Sequence, residues 1–93
     1  MGYVYVLADK ETGSVIKIGR TSRHPAIRAR EFNQVHPIKM GVYSYYWFNS
    51  DKNVERALHK ILEGAGYMRR RELFRCPPTA ADQILRSLRD KNF

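Results

Sequence analysis

Tyr3 and Tyr5, Lys17 and Gly19, and then Arg28 and Glu55 follow one another along the chain as parts that could build one hydrolytic site. A phenol that shares its proton with a neighbouring cation can act as a general base on water. An arginine holds two phosphate oxygens in its planar fork and offsets charge that develops in the transition state. One carboxylate can bind a single Mg²⁺, which otherwise keeps waters and phosphate oxygens as ligands. A glycine lets a strand of substrate approach the backbone closely. The tyrosine pair, Lys17, Arg28 and Glu55 are thus enough for phosphodiester hydrolysis. His59 lies one helical turn after Glu55, on the same side.

Positioning such a set requires a hairpin and two helices. Tyr3 to Ala8 and Val15 to Arg20 read as strands joined by the polar, glycine-bearing turn Asp9 to Ser14. Side-chain alternation puts Val4, Val6, Ile16 and Ile18 on a core face, and Tyr3, Tyr5, Lys17 and Gly19 on the other. A helix from Pro25 to Val35 would turn Ala29, Phe32 and Val35 or His36 inward, with Arg23, Arg28 and Arg30 at its edges. Pro37 stops it. Met40 to Phe48 is the strongest strand, apolar on both faces, and so is expected to lie centrally or be covered on both sides, with Trp47 and Phe48 in the core by default and base stacking by them the lesser alternative.

Asn49 or Ser50 can cap the next helix, which carries Val54, Ala57, Leu58, Ile61 and Leu62 at the helical period and ends at Gly64 and Gly66. Tyr67 to Arg75 reads as a loop leading to a short extended piece. Thr79 with Asp82 resembles a capping pair for a last amphipathic helix, which turns Ala81, Ile84, Leu85 and Leu88 inward. The order ββαβα plus a C-terminal helix predicts an α+β fold, with helices flanking a small three-stranded antiparallel sheet in a single domain over 1–93.

Seventeen Lys and Arg against nine Asp and Glu leave a net charge of +8 on 93 residues. A field of that sign on so small a body attracts polyanions. With 12% aromatics among 43% hydrophobic residues, nucleic acid is the expected partner. Arg20, Arg23, Arg30, Arg69, Arg70 and Arg71 would track its phosphates, alongside the helical stripe Lys52, Arg56 and Lys60. The lone Cys76 excludes an internal disulfide and a cysteine-based metal cluster, and fits a reducing compartment. No apolar run nears the roughly 20 residues of a membrane span, and the start lacks a signal-peptide pattern. A cytoplasmic location and no membrane partner are therefore expected.

Taken in order, these motifs resemble the GIY-YIG endonuclease superfamily, most closely the short phage and fungal branch whose second motif reads Lys-Ile-Gly. Tyr3-Val4-Tyr5 matches the first motif and Lys17-Ile18-Gly19 the second. Gly19-Arg20-Thr21 followed by Arg28 matches the arginine helix, Glu55-Arg56-Ala57-Leu58-His59 the metal-glutamate helix, and Glu72-Leu73-Phe74 the closing acidic-aromatic piece. The resemblance implies an endonuclease acting on DNA in preference to RNA. Tyr5 would be the general base or its partner, Arg28 the phosphate clamp, and Glu55 the ligand of one divalent ion, Mg²⁺ or Mn²⁺.

Two positions depart from the superfamily's pattern. Lys17 replaces the second motif's tyrosine, and Phe32 stands where many members carry His or Tyr. His24 or His59 could take over proton transfer. Glu72 is either a second acidic residue of the site or an ion-pair partner for the neighbouring arginines. The alternative reading is a catalytically weak or inactive nucleic-acid-binding module that uses the same basic face; a domain that grips an acidic protein ranks below both. Specificity would come from this body, a homodimer or a recognition partner.

Overall fold

Asp9 makes the first turn. Its Oδ1 accepts from the Glu11 and Thr12 amides at 2.8 and 2.9 Å, and its carbonyl accepts from Gly13, whose φ of 69° needs no Cβ. The turn joins β1 (Gly2–Asp9) to β2 (Val15–Thr21) in antiparallel register, with Tyr5 opposite Gly19 and Val6 opposite Ile18. The remaining elements are α1 (Pro25–Val35), β3 (Met40–Phe48), α2 (Asp51–Gly64), β4 (Met68–Arg70), β5 (Leu73–Arg75) and α3 (Pro78–Asp90). The computed structural model describes residues 1–91. Asn92 and Phe93, the end of the expected 1–93 domain, lie outside the described residues.

The sheet has five strands in the order β3-β1-β2-β5-β4, not three. The α+β class stands, but the stretch expected as a loop and one extended piece is a second hairpin. Strands of three residues are too short to declare a period, and Met68-Arg69-Arg70 is exposed throughout. Phe74, fully buried, anchors the pair. The turn itself rests on Arg71, in left-handed backbone at φ 58° with no glycine to announce it.

Alternation along the strands builds two cores on opposite faces. Val4, Val6, Ile16, Ile18 and Phe48 pack with Val54, Leu58 and Leu62 of α2 and with Ala81 and Leu85 of α3. Tyr5, Leu7 and Met40 pack under Ala29 and Phe32 of α1. Of the two alternatives for the inward end of α1, Val35 is 86% exposed and His36 is the one that packs, stacked on Phe32 at 4.5 Å.

β3 is an edge strand rather than a central one, and Tyr43, Tyr45 and Trp47 are exposed on it. The expectation failed because aromatic residues favour strands wherever the strand lies. Asp82 does not cap α3. It accepts from the Tyr46 hydroxyl at 2.6 Å and pairs with Arg86 at 3.2 Å. Among the described residues no helix is long and apolar enough to cross a membrane.

Candidate active site

β5 pairs with β2 only from Val15 to Lys17, so the edge of Ile18 to Thr21 carries no strand partner. Around that open edge lies a cavity of about 510 Å³. Its lining includes Tyr5, Lys17 and Gly19 from the hairpin, Arg28 from α1, Glu55 and His59 from α2, and Glu72 from the β4–β5 turn. Three layers thus reach one hollow. The helical period does the sorting in α2: Val54, Leu58 and Leu62 enter the core, while Glu55 and His59 follow one another by a turn along the flank that faces β2.

Tyr5 is buried, with only its hydroxyl end free to reach the cavity. It lies directly over Gly19, where a Cβ would collide with the phenolic oxygen. The Tyr5 phenol is also the main reason the Arg28 guanidinium is held above its ordinary pKa, with Glu31 and Glu72 adding to the effect. Arg28 Nη1 meets Glu31 Oε1 at 3.4 Å.

Lys17 Nζ donates to Glu72 Oε2 at 2.9 Å, and this bond holds the Glu72 carboxyl below its usual range. The ammonium also lies 5.7 Å from the centre of the Phe32 ring. Glu72 is therefore paired across the cavity with Lys17, not with the arginines beside it in sequence.

Burial pushes the Glu55 carboxyl up, against the opposing pull of Arg20 and Lys17. Its contact with Arg20 is loose, at 3.8 Å, because Arg20 also meets Asp51 at 3.5 Å. Burial, helped by the Arg69 charge, pushes His59 down and favours its neutral ring. Its Nε2 is enclosed without a hydrogen-bond partner among the described residues.

With Glu72 taken by Lys17, Glu55 is the carboxylate of the cavity that could hold an ion such as Mg²⁺, which binds through one protein oxygen plus waters and phosphate. Among the described residues no three His, Cys, Asp or Glu side chains gather into an all-protein cage.

Several expected residues lie elsewhere. Tyr3 is outside the cavity and packs edge-on against Tyr45 and Trp47, at 5.5 and 4.9 Å between ring centres. Arg30 lines a separate hollow between α1 and β3, with Lys10 and Asn33. Arg69 is committed to the fold, donating to Glu63 Oε1 and to the Arg71 carbonyl at 2.7 Å each, with its guanidinium 5.4 Å from the Phe74 ring centre. Arg70 and Arg71 border a hollow with His36 and Glu72 on the far side of the turn. Arg20 and Arg23 do line the main cavity.

His24 caps α1: its Nδ1 accepts from the Ala26 amide at 3.1 Å, so the neutral ring carries its proton on Nε2 and donates to the Tyr45 oxygen at 3.1 Å. Thr21 and Ser22 complete the rim, and nothing in their residue types distinguishes them beforehand.

No curated protein and no solved structure matches this chain. The T5orf172 domain, a phage-type domain associated with nucleases, matches residues 2–89. That span takes in every strand and nearly all of the last helix, and on it the chain belongs to the T5orf172 domain family.

Proposed function

We propose that this domain is a GIY-YIG-type endonuclease that hydrolyses phosphodiester bonds, DNA in preference to RNA, with the help of one divalent ion. The observation that carries this reading is the single cavity shared by Tyr5, Lys17, Arg28, Glu55 and His59, residues drawn from four separate elements. Family membership and the +8 charge support the nucleic-acid partner.

In this reading the scissile phosphate sits beside the Tyr5 hydroxyl, which the missing side chain of Gly19 lets lie close over β2. Arg28 takes two of its oxygens in the planar fork and offsets the charge that grows on them. Tyr5 acts as the base in its phenolate form: its own proton leaves to solvent first, with the Arg28 and Lys17 cations beside it to favour the charge left behind. The phenolate then takes the proton of the attacking water and ends as the neutral phenol, while the water oxygen bonds to phosphorus and the P–O bond to the leaving strand breaks. Glu72 orients the Lys17 ammonium through their 2.9 Å bond. Glu55 would hold Mg²⁺ or Mn²⁺, which supplies Lewis-acid neutralisation of the phosphate when bound. His59, neutral and enclosed, is the remaining proton carrier on the α2 side.

Purified protein incubated with Mg²⁺ or Mn²⁺ and single-stranded, duplex or branched DNA, or RNA, provides the test. Cleavage should fall by roughly 10²–10³-fold in Arg28→Ala, the size typical of removing one charge-stabilising donor, and should vanish with Glu55→Ala. If the wild type cuts no faster than the double variant, the nuclease reading is wrong.

The second reading is a binding module without turnover. It is favoured by the Lys17–Glu72 ion pair, which ties up the ammonium of the site, and by Phe32, which lies 5.7 Å from that ammonium in the core and carries no proton to transfer. It predicts salt-sensitive binding that neither chelator nor Glu55→Gln changes, and metal-dependent cutting excludes it.

A further inference from the structure

β3 presents an unusual edge. Natural edge strands are commonly blunted with charge, proline or a covering segment. Met40 to Phe48 contains no charged residue and no proline. It leaves Tyr45 39% and Trp47 48% exposed.

These two rings are held in place. Tyr3, directly opposite Trp47 on β1, fills the space beside both with its ring nearly perpendicular to each, at 84° and 83°. His24 fixes Tyr45 from the other side, through its hydrogen bond and an edge contact at 5.0 Å. Rigid aromatic faces lose little freedom when a planar ligand covers them.

Their place relative to the cavity gives them a use. Tyr45 is the direct cross-strand neighbour of Tyr5, and His24 follows Arg23 on the cavity rim and caps the helix that carries Arg28. β1 lies between β3 and β2, so the aromatic face and the cavity are about two strand spacings apart, roughly 10 Å, and the rim continues from one to the other through Arg23 and the Tyr45-bound His24.

We propose that Tyr45 and Trp47 form a base-stacking subsite beside the scissile phosphate, and that the substrate presents unpaired nucleotides there. This inference rests on the nucleic-acid reading above and adds the class of substrate: single-stranded or branched nucleic acid rather than intact duplex. Bases in a duplex keep their faces covered by one another, whereas unpaired bases stack on aromatic side chains regardless of sequence. The charge of +8 favours this occupant over a second copy of the chain, which would bring the same positive field to the interface.

Trp47 is the chain's one tryptophan, so its fluorescence reports on this face alone. The test titrates the full chain, with chelator present to prevent cutting, against three probes: oligothymidylate, an abasic oligomer of equal length, and a blunt duplex. Oligothymidylate should quench Trp47 and bind roughly 5- to 150-fold tighter than the abasic oligomer, the range expected for one stacked base. By anisotropy, Trp47→Ala and Tyr45→Ala should each remove most of that preference and leave abasic and duplex binding unchanged. Trp47→Phe should restore much of it.

Equal affinity for the two oligomers, with no quenching, overturns the subsite while leaving nucleic-acid binding intact. Absence of binding to all three probes overturns the nucleic-acid reading itself, and the subsite with it. A sedimenting dimer that Trp47→Ala dissolves assigns the face to self-association and overturns the proposal.

Discussion

A side chain at residue 19 would have to share the space of the Tyr5 hydroxyl. Gly19→Ala should therefore displace the phenol and lower cleavage by well over tenfold. A parallel melting curve checks that the fold survives, since the displaced Tyr5 ring also belongs to the core under α1. Glu55 offers a second residue-scale prediction. Its pKa is raised above the ordinary 4.5, so the native state favours the neutral carboxyl. The stability this provides is present below pH 4.5 and is lost as pH rises through the folded value. At pH 7 in chelator, Glu55→Gln should melt a few degrees higher than wild type, the difference closing at acid pH, while metal-dependent cleavage is abolished. A drop in melting temperature at pH 7 would show that Glu55 serves structure, through Arg20, more than chemistry. The candidate residues were legible from type and order: Tyr5, Lys17, Arg28 and Glu55 could be named in advance. Tyr3 could not be separated from Tyr5, because both occupy one strand face and only the packing of β3 sends one to Trp47 and the other to the cavity.

The first hairpin is the element whose stability depends most visibly on pH. Its turn is organised by the Asp9 carboxylate, whose pKa is lowered to about 2, first by its bond to the Thr12 hydroxyl and then by the Thr12 amide. A depressed carboxyl stabilises the fold above its unfolded value and loses that contribution as pH falls through the folded one. Wild type should lose hairpin stability between about pH 4 and pH 2, read by amide exchange of β1 and β2. Asp9→Asn should flatten that dependence. Local signals such as this turn, the Pro25 and Pro37 boundaries of α1 and the apolar period of α2 made their elements readable from sequence. The β4–β5 hairpin was not readable, because Arg71 takes a left-handed backbone that its residue type does not advertise and Phe74 alone supplies its buried anchor.

At the scale of the molecule, the net charge of +8 is distributed between groups that hold the fold and groups left to meet a partner. Arg69 belongs to the first kind, bound to Glu63 and lying over Phe74; Arg70 and Arg71 have no ion-pair partner among the described residues. Nucleic-acid affinity should fall linearly on a log–log plot against salt. Arg70→Ala and Arg71→Ala should each flatten that slope by roughly 0.7–0.9 if each contacts one phosphate. Arg69→Ala should lower the melting temperature and leave the slope alone. The amino-acid order determined the α+β class, the two-faced first hairpin, the basic character and which side chains are candidates for chemistry, since these follow from local period, turn chemistry and composition. Tertiary structure decided which of them meet. It ended the pairing of β2 with β5 at Lys17, leaving the rest of that edge open to the cavity, and it put the apolar strand β3 at the edge with its rings in the open. Such outcomes depend on how far strands pair and in what order they lie, which are contacts between distant segments that no local pattern encodes.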